Sequence, residues 1–329
     1  MENGLNLVDK LFQIVDREYD DALELQAHHA AWGTRCWFGD MEVAIKHVER
    51  GLELYEREKY RDHASRYGGH DPGVCAHAQG ALTFWYRGYP DDALQRAKHG
   101  IEFAHELNHP PSIGHAQLWL CNLLFQRRDK DQLSKAAAQL TAIASEHALG
   151  QYQDQATLFS TWANTHQIGA EAAIEVYKSG LLRSKTLGQK GLDVFRHYML
   201  AETSLAVGNP EQADKHVNSA IDLIAAPEPH VLTADLYRLK SAIECADPDY
   251  NHAAAYNYLQ QAMVVARSQN AKSLELRVAI DLARLYLRQN DVSAAREALY
   301  PIHDWFTEGF ETIDWLAAKD LRAKIETNS

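Results

Sequence analysis

Apolar residues recur at helical spacing along most of the chain, and short polar turns interrupt them about every 40 residues. Over 213–224, Ala213, Val217, Ala220, Ile221 and Ile224 fall on one stripe of a helix. The same phrase returns several times: a helix with small residues, a Gly or Asn with a polar turn, then a second helix opening on Ala. It reads FGDMEVAIKHVERGLEL from Phe38, RGYPDDALQRAKHGIEF from Arg87, VGNPEQADKHVNSAIDL from Val207 and RQNDVSAAREALYPI from Arg288. Weaker copies start at Arg127 and Ile168, and a seventh, with a longer turn, starts at Asp247. The anchoring residues of the second helices are read as Ala44, Ala93, Leu133, Ile174, Ala213, Ala255 and Ala295, spaced by 49, 40, 41, 39, 42 and 40.

Gly39, Gly88 and Gly208 stand where a first helix must stop, a position that favours left-handed backbone. Asp40, Pro90 and Pro210 start the next helix, where a proline loses no hydrogen bond. No helix pair of this kind covers its own apolar face, so stacking is what folds it. The expected fold is all-α: a right-handed α-solenoid of about seven tetratricopeptide-like helix pairs with terminal capping helices, one domain over residues 1–329. The period exceeds the roughly 34 residues of the ordinary tetratricopeptide repeat. Residues 1–20 read as the second helix of a missing repeat or as a cap, and Trp315 to Ile325 as a closing helix with a charged outer side.

Of the 329 residues 46% are hydrophobic and 24% charged, enough apolar surface for an extended core. A formal charge of −12 argues against an unaided electrostatic grip on nucleic acid. No run of about 18 apolar residues reads as a membrane span, and Met1 to Lys10 lacks the pattern of a secretory signal. Cys36, Cys75, Cys121 and Cys245 are scattered, which fits reduced, packed thiols and a cytoplasmic setting.

The long first step leaves an insertion over 56–73, EREKYRDHASRYGGHDPG. Its Arg61, His63, Arg66, His70 and Asp71 suit an anionic small-molecule ligand, with Gly68 and Gly69 permitting close backbone approach. The plainer reading takes Asp71-Pro72 as a helix start, Asp as N-cap and Pro in the first turn, and leaves Arg66 and His70 without a role. In a solenoid of this kind the first helices line a concave groove. Counting from the turns puts His29, Trp37, Trp85, Tyr86, His115, Asn122, Phe125, His166, Tyr198 and Glu202 on or near that face. Such side chains suit a peptide or small organic ligand; packing is the better reading for Trp37 and Trp85, and stays open for His115 and His166. His63, His70 and His77 are seven apart, but Gly68, Gly69 and Pro72 break any helix between them. No ligand motif for a metal is present, so neither metal nor cofactor is expected. His70, Asp71 and Cys75 lie close in sequence but match no nucleophile signature, so no catalytic residue is assigned.

Three stretches carry a family resemblance: AHHAAWGTRCWFGD (Ala27 to Asp40), RYGGHDPGVCAHAQGALTFWYRGYPDDAL (Arg66 to Leu94) and WFTEGFETIDWLAAK (Trp305 to Lys319). They resemble the long-repeat tetratricopeptide region at the C-terminus of bacterial class III adenylate/guanylate cyclase–AAA ATPase proteins, and similar arrays in ATPase-containing transcription activators. The resemblance spans nearly the whole chain. It implies a regulatory or sensor module beside a catalytic partner; no phosphate loop and no cyclase segment occurs here. The resulting expectation is a non-catalytic scaffold that binds a protein or peptide partner through its concave groove, an ATPase or cyclase domain among the candidates. The alternative is a small-molecule sensor with its ligand near residues 66–71. The first helix, lacking a partner before it, adds the expectation of a homodimer through an uncovered end.

Overall fold

In a computed structural model, residues 2–188, 192–224, 230–246 and 251–327 are described, with side chains from residue 4 onward. Every regular element among them is a helix, and there is no strand. The chain divides into two compact units, Met1–Ser160 and Thr161–Ser329.

The first unit opens with α1 (Glu2–Glu18), followed by three helix pairs: α2 (Asp21–Trp37) with α3 (Met41–Leu54), α4 (Pro72–Tyr86) with α5 (Pro90–Leu107), and α6 (Pro110–Gln126) with α7 (Lys130–Glu146). The boundary between units falls within α8 (Gly150–Ala163). The second unit continues with a one-turn helix α9 (Thr165–Ile168) and α10 (Ala170–Leu187). Three more pairs follow: α11 (Asp193–Ala206) with α12 (Pro210–Ile224), α13 (Thr233–Glu244) with α14 (His252–Ser268), and α15 (Lys272–Arg288) with α16 (Val292–His303). Closing the chain, α17 (Ile313–Thr327) packs on α15 and α16 through Ala318, Leu321 and Ile325. These are tetratricopeptide-like helix pairs, as the repeat predicts. The turn of the seventh copy, Asp247–Tyr250, lies outside the described residues.

One device starts each second helix. The residue four places before the anchor gives its carbonyl to the anchor N–H: Asp40 to Ala44, Tyr89 to Ala93, Asp129 to Leu133, Asn209 to Ala213, Asn251 to Ala255 and Asp291 to Ala295. Asp129, Asn209, Asn251 and Asp291 also accept a backbone N–H with their side chains, satisfying donors a helix start leaves orphaned. Gly39, Gly88 and Gly208 take the left-handed turn with φ of 79°, 95° and 76°. In the weaker copy at Arg127 the left-handed residue is Arg128, at φ 59°, which costs about 1–2 kcal/mol that glycine avoids.

The anchor in α10 is Ala173, not Ile174. Gly169 is the N-cap of α10, and its carbonyl accepts from Ala173 N as the residues four before the other anchors do. Ala173 is fully buried while Ile174 is half-exposed. With that correction the anchors after Ala93 are spaced by 40, 40, 40, 42 and 40. From each anchor a buried stripe runs down the helix, as in Ala93, Ala97, Gly100 and Ala104, or Ala173, Tyr177, Gly180 and Ser184. Small residues here set the spacing between helices: a Cβ on Gly100 would sit 3.1 Å from the Ala78 nitrogen.

First helices are enclosed on almost every side. α4 buries 13 of its 15 residues and α6 buries 14 of 17, because each is packed between its own partner and the first helices before and after it. Such helices are mostly apolar all round, and the polar side chains that α6 buries, His115, Gln117, Asn122 and Gln126 among them, are hydrogen-bonded.

Candidate functional site

The insertion after α3 builds the site. Tyr55 ends α3 in extended backbone; the chain then turns through 57–62 and makes one wide helical turn over Ala64–Gly68. Gly69, at φ 72° and with open space for 4 Å around the place a Cβ would take, reverses the chain before α4. Tyr60, His63 and Ala64 are buried beneath this loop, so it is a packed element. Exposed pairs brace it from outside: Lys59 with Asp21 at 3.2 Å, and Arg57 with Glu106 at 3.3 Å; exposed pairs like these are worth at most about 1 kcal/mol each.

Asp71 closes the insertion. Its Oδ1 accepts from Val74 N (2.9 Å), its Oδ2 accepts from the Tyr55 hydroxyl (2.9 Å), and its own N–H donates to Ser112 Oγ (2.8 Å). Burial raises its carboxyl above the ordinary aspartate range, and the hydrogen bonds work against that rise. Asp71 with Pro72 is therefore the start of α4, N-cap and first-turn proline. Arg66, by contrast, projects outward and pairs with Asp62 at 3.0 Å.

Beneath Gly68 the polar side chains converge. His29 Nε2 lies 3.1 Å from His70 Nε2, and the His70 ring stacks on His115 with centroids 3.6 Å apart and planes 10° from parallel. His115 Nε2 is 3.3 Å from Cys75 Sγ. Gln26 joins the group, bonded to both His29 Nδ1 (3.1 Å) and His63 Nδ1 (2.7 Å). Burial holds the imidazoles neutral, lowering His29 to about 3 and His70 to about 4, and His115 well below its ordinary value. The same burial pushes the Cys75 thiol up to about 12, the opposite of what a cysteine nucleophile needs.

Alongside, a cleft of about 510 Å³ opens between the insertion and the α5–α6 turn, lined among others by Arg57, Arg61, Ser65, Asp71, Glu106 and His109. Its volume falls in the range of small-ligand sites, and its walls carry both signs of charge.

The structure places the other candidates as follows. Trp85, Tyr86, Asn122, Phe125 and Tyr198 are buried, Trp37 is half-buried with its ring 5.9 Å from Trp119, and His166 is exposed. Inner residues of successive first helices bond each other: Gln126 Nε2 donates to the Tyr86 hydroxyl (2.9 Å), and Trp162 Nε1 to Glu202 Oε2 (2.7 Å). His77 turns away from His63 and His70 to meet His99 and Phe103. Sequence reasoning alone passes over Gln26, Trp32, Ser112, Glu106 and His109. The available signal is the period itself, since His29–His70 and Cys75–His115 are separated by 41 and 40 residues.

Comparison with known proteins bears on the fold. No protein-family model matches the chain. It is 26% identical over 268 residues to an uncharacterised protein of Rhizobium meliloti (strain 1021), covering 80% of this chain and 26% of that protein; it thus spans about a quarter of that relative's length. Among solved structures it is similar to the Rap conjugation gene regulator of plasmid pLS20 in complex with the Phr* peptide, at 12% identity and TM-score 0.56 over 93% of this chain and 76% of that one. Aspartyl phosphate phosphatase F from Bacillus subtilis is similar at 12% identity and TM-score 0.51, over 97% of this chain and 74% of that one. At such identities the likeness concerns the fold alone. No helix of the described residues is long and apolar enough to cross a membrane.

Proposed function

We propose that this chain is a non-catalytic binding module that recognises a protein or peptide partner, with the insertion cleft as its recognition element. One observation carries this reading. Inner residues of the first helices are largely spent on one another, whereas the cleft beside the insertion stays open and presents arginine, carboxylate and imidazole groups together. A cleft of mixed sign suits a peptide segment, whose carboxylates and amides need both kinds of partner. The peptide bound to the plasmid regulator of similar fold supports a peptide as occupant. The resemblance to cyclase–ATPase proteins supports a bacterial signalling role, with an ATPase or cyclase domain as the partner. Leu7, Leu11 and Ile14, exposed on α1, support self-association through that helix; light scattering at high concentration that shows only monomer removes this part.

Cleft volume favours a second reading, a small organic anion held by Arg57, Arg61 and His109. Native and denaturing mass spectrometry of gently purified protein separates the two. A co-purified polypeptide whose affinity drops at least about tenfold in Arg61→Glu, but not in the distant Arg284→Glu, supports the first. A small mass released on denaturation supports the second. A partner indifferent to Arg61→Glu rules out the cleft as its site.

A further inference from the structure

Two half-buried rings, those of His29 and His70, face each other where the insertion meets α2. The Gln26 amide nitrogen bonds His63 Nδ1, so its carbonyl oxygen takes the Nδ1–H of His29. That fixes the tautomer and leaves His29 Nε2 with a lone pair. His70 Nε2 faces it at 3.1 Å, which is a hydrogen bond when His70 carries its proton on Nε2 and a second metal donor when the proton is on Nδ1.

A third donor completes the set. Cys75 Sγ and one ring nitrogen from each of His29 and His70 all lie within 4.8 Å of one another. A tetrahedral ion with bonds of about 2.0–2.3 Å holds its donors roughly 3.3–3.8 Å apart, so small side-chain shifts complete the geometry. The Trp32 indole, 1% exposed, keeps a buried N–H without a hydrogen-bond partner.

We propose that His29, His70 and Cys75 bind a borderline-soft divalent ion of the zinc type, with three protein donors and the fourth position open. Two imidazoles and a thiolate suit such an ion, whereas calcium and magnesium demand oxygen. On binding, the Cys75 S–H bond breaks, its proton leaves to solvent and the sulfur electron pair forms the metal bond; each imidazole gives a lone pair with no proton change. His115 Nε2, 3.3 Å from the sulfur, is the positioning group for that thiolate. Because the donors come from α2, the insertion and α4, the ion ties the insertion to the first two repeats and sets the wall of the neighbouring cleft.

The test uses untagged full-length protein, reduced and stripped with chelator, titrated with Co²⁺ without oxygen. One equivalent should bind, giving a thiolate-to-cobalt charge-transfer band and the d–d bands of a tetrahedral ion, both displaced by Zn²⁺. Cys75→Ser should abolish the charge-transfer band and weaken Zn²⁺ binding by at least about 100-fold. His70→Ala, in the insertion and outside every helix, should weaken it comparably with an unchanged circular-dichroism spectrum. Cys36→Ala, a buried thiol elsewhere in α2, should alter neither. Absence of the charge-transfer band in the wild-type protein, or wild-type affinity in Cys75→Ser, overturns the site and assigns any binding to other members of the chain's 17 histidines.

Discussion

Replacing His230 by asparagine should flatten the acid limb of this protein's stability. His230 is 7% exposed, its Nδ1 accepts the Leu232 N–H at 3.1 Å, and its carbonyl accepts from Gln269 Nε2 at 3.1 Å. An accepting Nδ1 requires the neutral ring, and protonation would set two N–H groups against each other. Burial lowers the ring to about 4, from an unfolded value of 6.5. Below pH 6.5 the unfolded chain takes up a proton that the folded one refuses until about pH 4. The stabilisation is therefore complete above pH 6.5 and lost as pH falls through that window. A difference of about 2.5 pH units corresponds to about 3 kcal/mol. Asparagine keeps a side-chain oxygen able to accept the same N–H but does not titrate. Urea unfolding at about pH 7.5 and about pH 4.5 gives the measure. His28, His47, His197 and His216 are also lowered by burial and contribute to both proteins alike. The wild type should thus lose about 2.5 kcal/mol more than His230→Asn between the two pH values, because pH 4.5 stops short of the folded value. Equal losses would refute the reasoning.

Three further outcomes follow from packing and charge. Ala173→Leu forces extra carbons into a filled position and should destabilise by about 1–3 kcal/mol, whereas Ile174→Leu should stay within about 0.5 kcal/mol; thermal melts that rank them the other way restore Ile174 as the anchor. Gly100→Ala should cost about 1–3 kcal/mol, since its methyl would press on Ala78 N and His77 Cβ at 3.1 and 3.2 Å, and an unshifted melting temperature would show that α4 and α5 can part freely. Asp235 is 3% exposed and bonded to Arg238 at 2.6 Å and to the buried Arg277 at 3.4 Å, so Asp235→Ala should cost about 3–5 kcal/mol by leaving these cations short of a carboxylate; urea midpoints check it, and a loss under about 1 kcal/mol would mean that Asp314, 2.8 Å from Arg277, and Asp281, 2.8 Å from Arg238, suffice.

The helix pairs are legible because their turns are chemical necessities: a left-handed residue, a cap and a small anchor recur at fixed offsets, and the polar pattern shows them directly. The one-residue error at Ile174 arises because Gly169 stands four residues before its anchor, whereas the left-handed turn residues Gly39, Gly88, Arg128 and Gly208 stand five before theirs. Which inner side chains stay open is not legible. A tryptophan, tyrosine or histidine on the inner face looks the same whether it meets a ligand or the next first helix. That choice depends on how closely the first helices stack, which is set by Gly33 against Gln79 and Gly114 against Tyr152 and has no local signature. Asp71-Pro72 is legible as a helix start. That His70, just before it, turns inward to His29 and His115 is not, because the partners come from distant repeats.

Register explains why the insertion carries chemistry. After Ala93 the step between first helices is 40 residues, so Cys75 is equivalent to His115 and Tyr86 to Gln126, and both pairs are in contact. Across the first junction the step is 49, which makes Gln26 equivalent to Cys75 and maps His29 onto Ala78. Alanine offers no polar atom, so regular stacking would bury His29 with nothing to meet its Nε2, at a cost of about 1–3 kcal/mol. The insertion supplies the missing partner by folding His70 back over the first repeat, 41 residues after His29 instead of 49. A loop that merely lengthened a turn would have no reason to bury Tyr60 and His63 or to place an imidazole on the ring of His115. The extra residues therefore turn a purely structural interior, where polar groups pair one repeat apart, into a cluster of neutral donors that can take a ligand.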